Sequence, residues 1–313
     1  MKNLLTHLQH PNSTKDYQAE DEADAIKISE YWGRRIDQNQ KPKISFELFP
    51  PKSDSANKLL KKTHQKLSEI NPDYFSVTFG ALGSSQNDTF DTVADLSEDT
   101  KIPIIPHLTC VGTDKKQVTD LLDEYIAQGV SQIMVLKGDY PKTIIKKGDF
   151  NYANEMVEFI KENYLDINIL VAAYPEKHPH SNCISKDIDF FVNKVNAGAD
   201  EAVTQYFYNI DAYLHFIEEV QKRNIDIPIT PGIMPITNYD QLIYFSKTCG
   251  AEIPAWILNK LKLYKNDLNS LKEFGEDVVS EMCLKLKDNG VSSFHFYCLN
   301  KAEPTLSIVK KIT

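Results

Sequence analysis

The sequence predicts an α/β fold, a single (β/α)8 TIM barrel. Eight short runs rich in β-branched and aromatic residues recur along the chain, near 43–49, 74–79, 104–110, 132–138, 168–175, 201–208, 227–234 and 292–299. Most segments between them carry helical periodicity, as in 115–128, 187–197 and 212–223. Several runs, such as Ile133-Met134-Val135-Leu136, are apolar throughout. Strands without alternation suit a parallel sheet covered on both faces. Eight strands alternating with helices point to a closed barrel. A doubly wound open sheet is the other topology the same pattern allows.

Residues 1–40 read as a polar N-terminal arm. Glu20-Asp21-Glu22-Ala23-Asp24 ahead of Ala25-Ile26-Lys27-Ile28 predicts a short helix with acids at its positive end. The first strand, from Lys43 to Phe49, stops at Pro50-Pro51, because proline has no N–H for a sheet ladder. It carries one carboxylate, Glu47, inside its apolar run. A charge there is costly unless it is paired or its pKa rises. Two readings stay open on this feature alone: an acid near the end of a barrel strand, or an edge-strand glutamate facing water. The stretch 253–289 predicts extra helices before the last strand. No low-complexity linker interrupts residues 41–313, so they are expected to form one barrel domain.

Composition narrows the class. The chain has 313 residues, 42% hydrophobic and 25% charged, an ordinary globular mixture. Its net charge of -9 argues against a general binder of nucleic acid or anionic membrane. A few local cations would still hold a small anion. The five cysteines, Cys110, Cys183, Cys249, Cys283 and Cys298, are widely spaced without a CxxC pair, as expected for reduced thiols in a cytoplasmic protein. No segment reads as a signal peptide or a membrane span.

The sequence has no GxGxxG after a strand, no GxxxxGK[ST], no HExxH, no zinc-spaced His/Cys cluster and no GxSxG. What remains is polar residues at strand ends, where a barrel keeps its site. They are Thr78 and its neighbours, His107, Lys137-Gly138-Asp139, Tyr174 to His178, Gln205, the run Pro231-Gly232-Ile233-Met234-Pro235 and the run from His295 to Lys301. Singly, each reads more readily as packing or a turn. Seven such coincidences at one end of one barrel are harder to dismiss.

These residues resemble the methylenetetrahydrofolate reductase family. The likeness opens with Ser45-Phe46-Glu47-Leu48-Phe49-Pro50-Pro51 and runs through Val77-Thr78-Phe79-Gly80-Ala81, His107-Leu108-Thr109-Cys110 and Leu136-Lys137-Gly138-Asp139. It continues with Ala172-Ala173-Tyr174-Pro175-Glu176-Lys177-His178-Pro179, Thr204-Gln205-Tyr206-Phe207, Pro231-Gly232-Ile233-Met234-Pro235 and Phe294-His295-Phe296-Tyr297-Cys298-Leu299-Asn300. The length resembles the bacterial form, a catalytic barrel alone.

The resemblance implies an enzyme with non-covalent FAD. It would pass a hydride from NADH or NADPH, by a ping-pong cycle through flavin N5, to 5,10-methylenetetrahydrofolate, giving 5-methyltetrahydrofolate for methionine synthesis. Glu47 matches the general acid, and Asp139 a carboxylate near both flavin and folate. Thr78, Phe79, Ala81, His107, Lys137, Gly138, Asp139, Tyr152, Ala153, Tyr174, His178, Asp187 and Lys194 match cofactor-contacting positions. Asp139, Gln205, Gln241 and Phe245 match folate positions. Lys301 stands where the family often has arginine, as does Lys137, and lysine lacks the planar fork. Phe190 and Asn193 replace polar or basic residues near the nucleotide half of FAD. The resemblance also implies a homo-oligomer and no metal. A different flavin barrel, or one that binds folate without redox work, remains the alternative.

Overall fold

The computed structural model describes residues 41–79, 86–138, 148–179, 181 and 183–313. The expected arm at 1–40 and its helix lie outside the described residues, as do Ala81 and Asp139.

Parallel strands alternate with helices from the first element on. They are β1 (Lys43–Leu48), β2 (Tyr74–Val77), β3 (Ile104–Thr109), β4 (Gln132–Leu136), β5 (Asn168–Ala173), β6 (Glu201–Thr204), β7 (Ile229–Thr230), β8 (Gly232–Ile233) and β9 (Ser293–Tyr297). The helices are α1 (Asp54–Ser68), α2 (Gln86–Asp99), α3 (Lys115–Ala127), α4 (Ala153–Asn163), α5 (Ile184–Asn196), α6 (Ile210–Gln221), α7 (Tyr239–Cys249), α8 (Ala255–Leu263), α9 (Leu268–Asp288) and α10 (Thr305–Ile312). The extra helices expected before the last strand are α8 and α9.

The strands follow one another in the order β7-β6-β5-β4-β3-β2-β1-β9-β8. The predicted seventh strand is split. β7 pairs with β6, β8 pairs with β9, and only Pro231 separates them. Proline cannot donate to a ladder, so one strand hands its pairing from one neighbour to the other at that residue. Pro231 still accepts from His295 N at 3.0 Å. Counting β7 and β8 as one strand, eight parallel strands close the barrel, with an α/β architecture of TIM type.

Strand side chains alternate between lumen and helices. Phe46, Leu48, Phe75, Val77, Phe294 and Phe296 face outward and join one core with Leu60 and Leu67 of α1. The opposite phase fills the lumen in two sectors. Ile105, Met134, Leu170 and Val203 make an apolar sector on β3 to β6. Ser45, Ser76 and His295 make a polar one on β1, β2 and β9. His295 Nδ1 lies 2.8 Å from Ser45 Oγ, and Tyr74 stacks on its ring.

Candidate active site

Glu47 is the last lumen-phase residue of β1, level with Ser76 on β2 and Tyr297 on β9. Its side chain is partly accessible at the mouth, yet the surrounding barrel wall desolvates the carboxyl and pushes it up to about 8. At neutral pH the side chain is therefore a protonated acid at the C-terminal mouth of a parallel barrel. The edge-strand reading of Glu47 fails, because β1 is paired on both sides.

Tyr297 spans the lumen beside it. Its hydroxyl donates to Thr204 O at 2.7 Å, next to Gln205. A Cβ on Gly232 would stand 2.5 Å from the Tyr297 ring and 2.1 Å from Thr204 O, so only glycine leaves room for this crossing. Gln205 N is held by Ala173 O at 2.8 Å, and its Oε1 accepts from Tyr206 N at 3.0 Å. Gln241 and Phe245 sit one turn apart on α7, both partly buried. Lys301 is exposed just past the end of β9.

A second group lies on the arc from β2 to β5. Thr78 follows β2, and Thr78 N donates to Leu48 O at 3.0 Å. Phe79 is half-buried beside it. Thr78 Oγ1 and His107 Nε2 are buried without a hydrogen-bond partner among the described residues. Burial also pushes the His107 imidazole down to about 3, so it is neutral. Gly138 has φ 81, and a Cβ there would meet Thr109 Cβ at 2.8 Å, so the turn after β4 requires glycine. Lys137 Nζ sits 5.0 Å from the centre of the Tyr152 ring. Tyr152 is the N-cap of α4 without a side-chain capping bond, and Ala153 is the first residue of that helix.

Lys194 on α5 turns its ammonium inward and donates to Ala172 O. Burial pushes it down to about 8, against the pull of Asp187. Asp187 Oδ2 accepts from His178 N at 2.9 Å, and the His178 ring packs edge-on against Tyr174 at 4.7 Å. The buried Cys110 thiol feels both Lys137 and Lys194, so the two cations converge on one region. Phe190 and Asn193 are both exposed on α5.

The structure thus gathers the described candidates at one barrel face, in two arcs that meet at Glu47. Sequence reasoning included Tyr297 and Asn300 in the strand-end run from His295 to Lys301 but gave neither a role. The polar phase Ser293, His295, Tyr297, matching Lys43, Ser45, Glu47 on the neighbouring strand, was the available signal. Among the described residues no helix is long and apolar enough to cross a membrane, and no three His, Cys, Asp or Glu side chains form a metal group.

An eight-stranded parallel barrel with a protonated strand-end acid, flanked by an arc of cations and unpartnered polar atoms, defines a class of ligand-binding barrel. Comparison with known proteins narrows the class. The family model for methylenetetrahydrofolate reductase matches residues 33–313. The 5,10-methylenetetrahydrofolate reductase of Buchnera aphidicola subsp. Schizaphis graminum is 38% identical over 270 residues, covering 86% of this chain and 91% of its own. That of Escherichia coli K12 is 33% identical over 265 residues, covering 85% and 88%. The chain belongs to the methylenetetrahydrofolate reductase family. Among solved structures, an uncharacterised Clostridium thermocellum protein that binds two copies of 5-methyl-5,6,7,8-tetrahydrofolic acid shares the fold. Its TM-score is 0.62 at 18% identity, over 91% of this chain and 98% of that one.

Proposed function

We propose that this chain reduces 5,10-methylenetetrahydrofolate to 5-methyltetrahydrofolate, with NADH as donor, bound FAD as the hydride carrier and Glu47 as general acid. The observation that carries the reading is Glu47 itself, a carboxyl kept protonated by burial at the barrel mouth. Family membership supports the substrate. A plant relative is named for NADH, the methylenetetrahydrofolate reductase (NADH) 1 of Arabidopsis thaliana, 31% identical over 283 residues; the match covers 86% of this chain and 48% of that one.

The residues on the β2-to-β5 arc fit FAD. Lys137, Lys194 and the open N-terminus of α4 suit a pyrophosphate. The unpartnered Thr78 Oγ1 and His107 Nε2 suit the polar edge of a ring buried in the mouth. When bound, FAD would supply the two-electron chemistry that no side chain here offers. The protein's own task is acid catalysis and placement. As the folate imidazolidine ring opens, the bond from the methylene carbon to N10 breaks and N10 takes the Glu47 proton. The resulting cationic iminium at N5 is favoured by the Asp139 carboxylate. Gln205, Gln241 and Phe245 orient the pterin and its aryl group, and Lys301 meets the anionic glutamate tail.

The purified protein is expected to be yellow, and chromatography of heat-released cofactor should identify FAD. In Glu47→Gln, anaerobic bleaching by NADH should survive, because that step takes no proton from Glu47. Reoxidation by methylenetetrahydrofolate should fall by about 10²–10⁴-fold. Equal slowing of both steps in stopped-flow traces would make Glu47 structural. A colourless protein that cannot be reconstituted would leave a folate-binding barrel instead.

A further inference from the structure

We infer that Asn300 is a positioning residue for Glu47, its side-chain amide closing the open end of β1 so that the Glu47 carboxyl is held in the lumen. The inference rests on the reading of Glu47 as the acid. Phe49 N donates to Asn300 Oδ1 at 3.0 Å, and Asn300 Nδ2 donates to Phe49 O at 2.9 Å. One amide thus satisfies both polar groups of one main-chain residue. The ladder cannot do this itself. Pro50 follows Phe49 without an N–H, and the register between β1 and β9 ends at Glu47 and Tyr297. Beyond that pair the chain after β9 turns away, with Leu299 and Asn300 both at φ 53. The Asn300 amide therefore replaces the missing rung two residues above Glu47.

Two more contacts brace the same spot. Cys298 Sγ donates to Glu47 O at 3.2 Å, and Thr63 Oγ1 of α1 donates to Asn300 O at 3.1 Å. Below Glu47, Ser45 is tied to His295. Glu47 is thus fixed from both sides along the strand. Among the described residues, the titratable groups that feel the charge of Glu47 are Tyr74 from β2, and Tyr297 and Cys298 from the β9 side. None is a cation, so the state of the carboxyl depends on how well the strand end stays closed. A fraying β1 would let water in and carry the carboxyl away from N10.

A purely conformational need at φ 53 would be met as well by glycine. Asn300→Gly therefore removes the clamp and keeps the turn. Asn300→Asp keeps the acceptor for Phe49 N and loses the donor to Phe49 O. In Asn300→Gly the flavin should still bleach with NADH within about twofold of the parent rate. The methylenetetrahydrofolate step should slow roughly ten- to a hundredfold, the scale of a small misplacement of a reacting group, with KM little changed. Asn300→Asp should fall between. Infrared difference spectra, with the Glu47 carboxyl band assigned by its loss in Glu47→Gln, give a readout without turnover. In Asn300→Gly that band should titrate below its parent midpoint, toward ordinary carboxylates. If the midpoint and the folate step both stay put, the inference is wrong. It is also wrong if both half-reactions slow equally. If Glu47→Gln itself leaves the folate step intact, the proposed function fails, while the infrared shift still reports the clamp.

Discussion

Glu47 makes stability and turnover depend on the same proton. Its ordinary value is 4.5, and its buried value is about 8. Between these values the folded chain binds the proton and the unfolded chain does not, so stability falls as pH rises through this window. Below it, both states are protonated and the penalty vanishes. Glu47→Gln has no proton to lose. Its melting temperature relative to the parent should therefore climb from about pH 5 to about pH 8, and a difference flat with pH would contradict the buried acid. The folate step should hold steady on the acid side and decline above about 8 with the slope of one proton. His107 and His295, both pushed down to about 3, should add no limb in the neutral range. Glu47 was legible in the sequence because a charge interrupts an apolar run. The roles of Asn300 and Tyr297 were not, because their contacts join residues 251 and 93 positions apart. No local pattern records such a pairing.

Most strands were legible as elements, since parallel strands covered on both faces leave unbroken apolar runs. The split of the seventh was not. Residues 227–234 read as one run, and only the closed barrel shows Pro231 as the point where pairing passes from β6 to β9. Gly232 belongs to the same device. Its N donates to Thr204 Oγ1 at 2.9 Å, and its missing side chain admits the Tyr297 ring. Gly232→Ala would force a methyl to within 2.1 Å of the Thr204 main-chain oxygen, which cannot withdraw without disturbing the bond it accepts from the Tyr297 hydroxyl. A cost at or above the usual overpacking range of about 1–3 kcal/mol is expected. Calorimetry of Gly232→Ala beside Tyr297→Phe checks it. The phenylalanine variant loses one hydrogen bond, worth about 0.5–1.5 kcal/mol, and should be the milder of the two. The reverse order would mean that the lumen has more room around Gly232 than its contacts imply.

On the scale of the molecule, a parallel barrel brings every strand's C-terminal end to one face, whatever the distance along the chain. A chain of net charge -9 can therefore still present Lys137, Lys194 and Lys301 around one mouth. The two ligands would tie different arcs of that mouth. Glu47 aside, the described residues assigned to FAD come from β2 to β5, α4 and α5, whereas the described residues assigned to folate come from β6, α7 and the end of β9. Removing flavin should thus loosen one side of the barrel and spare the other. Hydrogen exchange in flavin-stripped protein should quicken at the ends of β3, β4 and β5 and across the first turns of α4 and α5. Exchange in β9 and α10 should be unchanged. Adding FAD back should restore protection and raise the melting temperature with concentration, by about 2.7 kcal/mol at a hundredfold excess over Kd. Loss spread evenly around all the strands would mean that flavin stabilises the barrel as a whole. Loss confined to β9 would put it on the wrong arc, and the assignment of Lys137, His107 and Lys194 would fall with it.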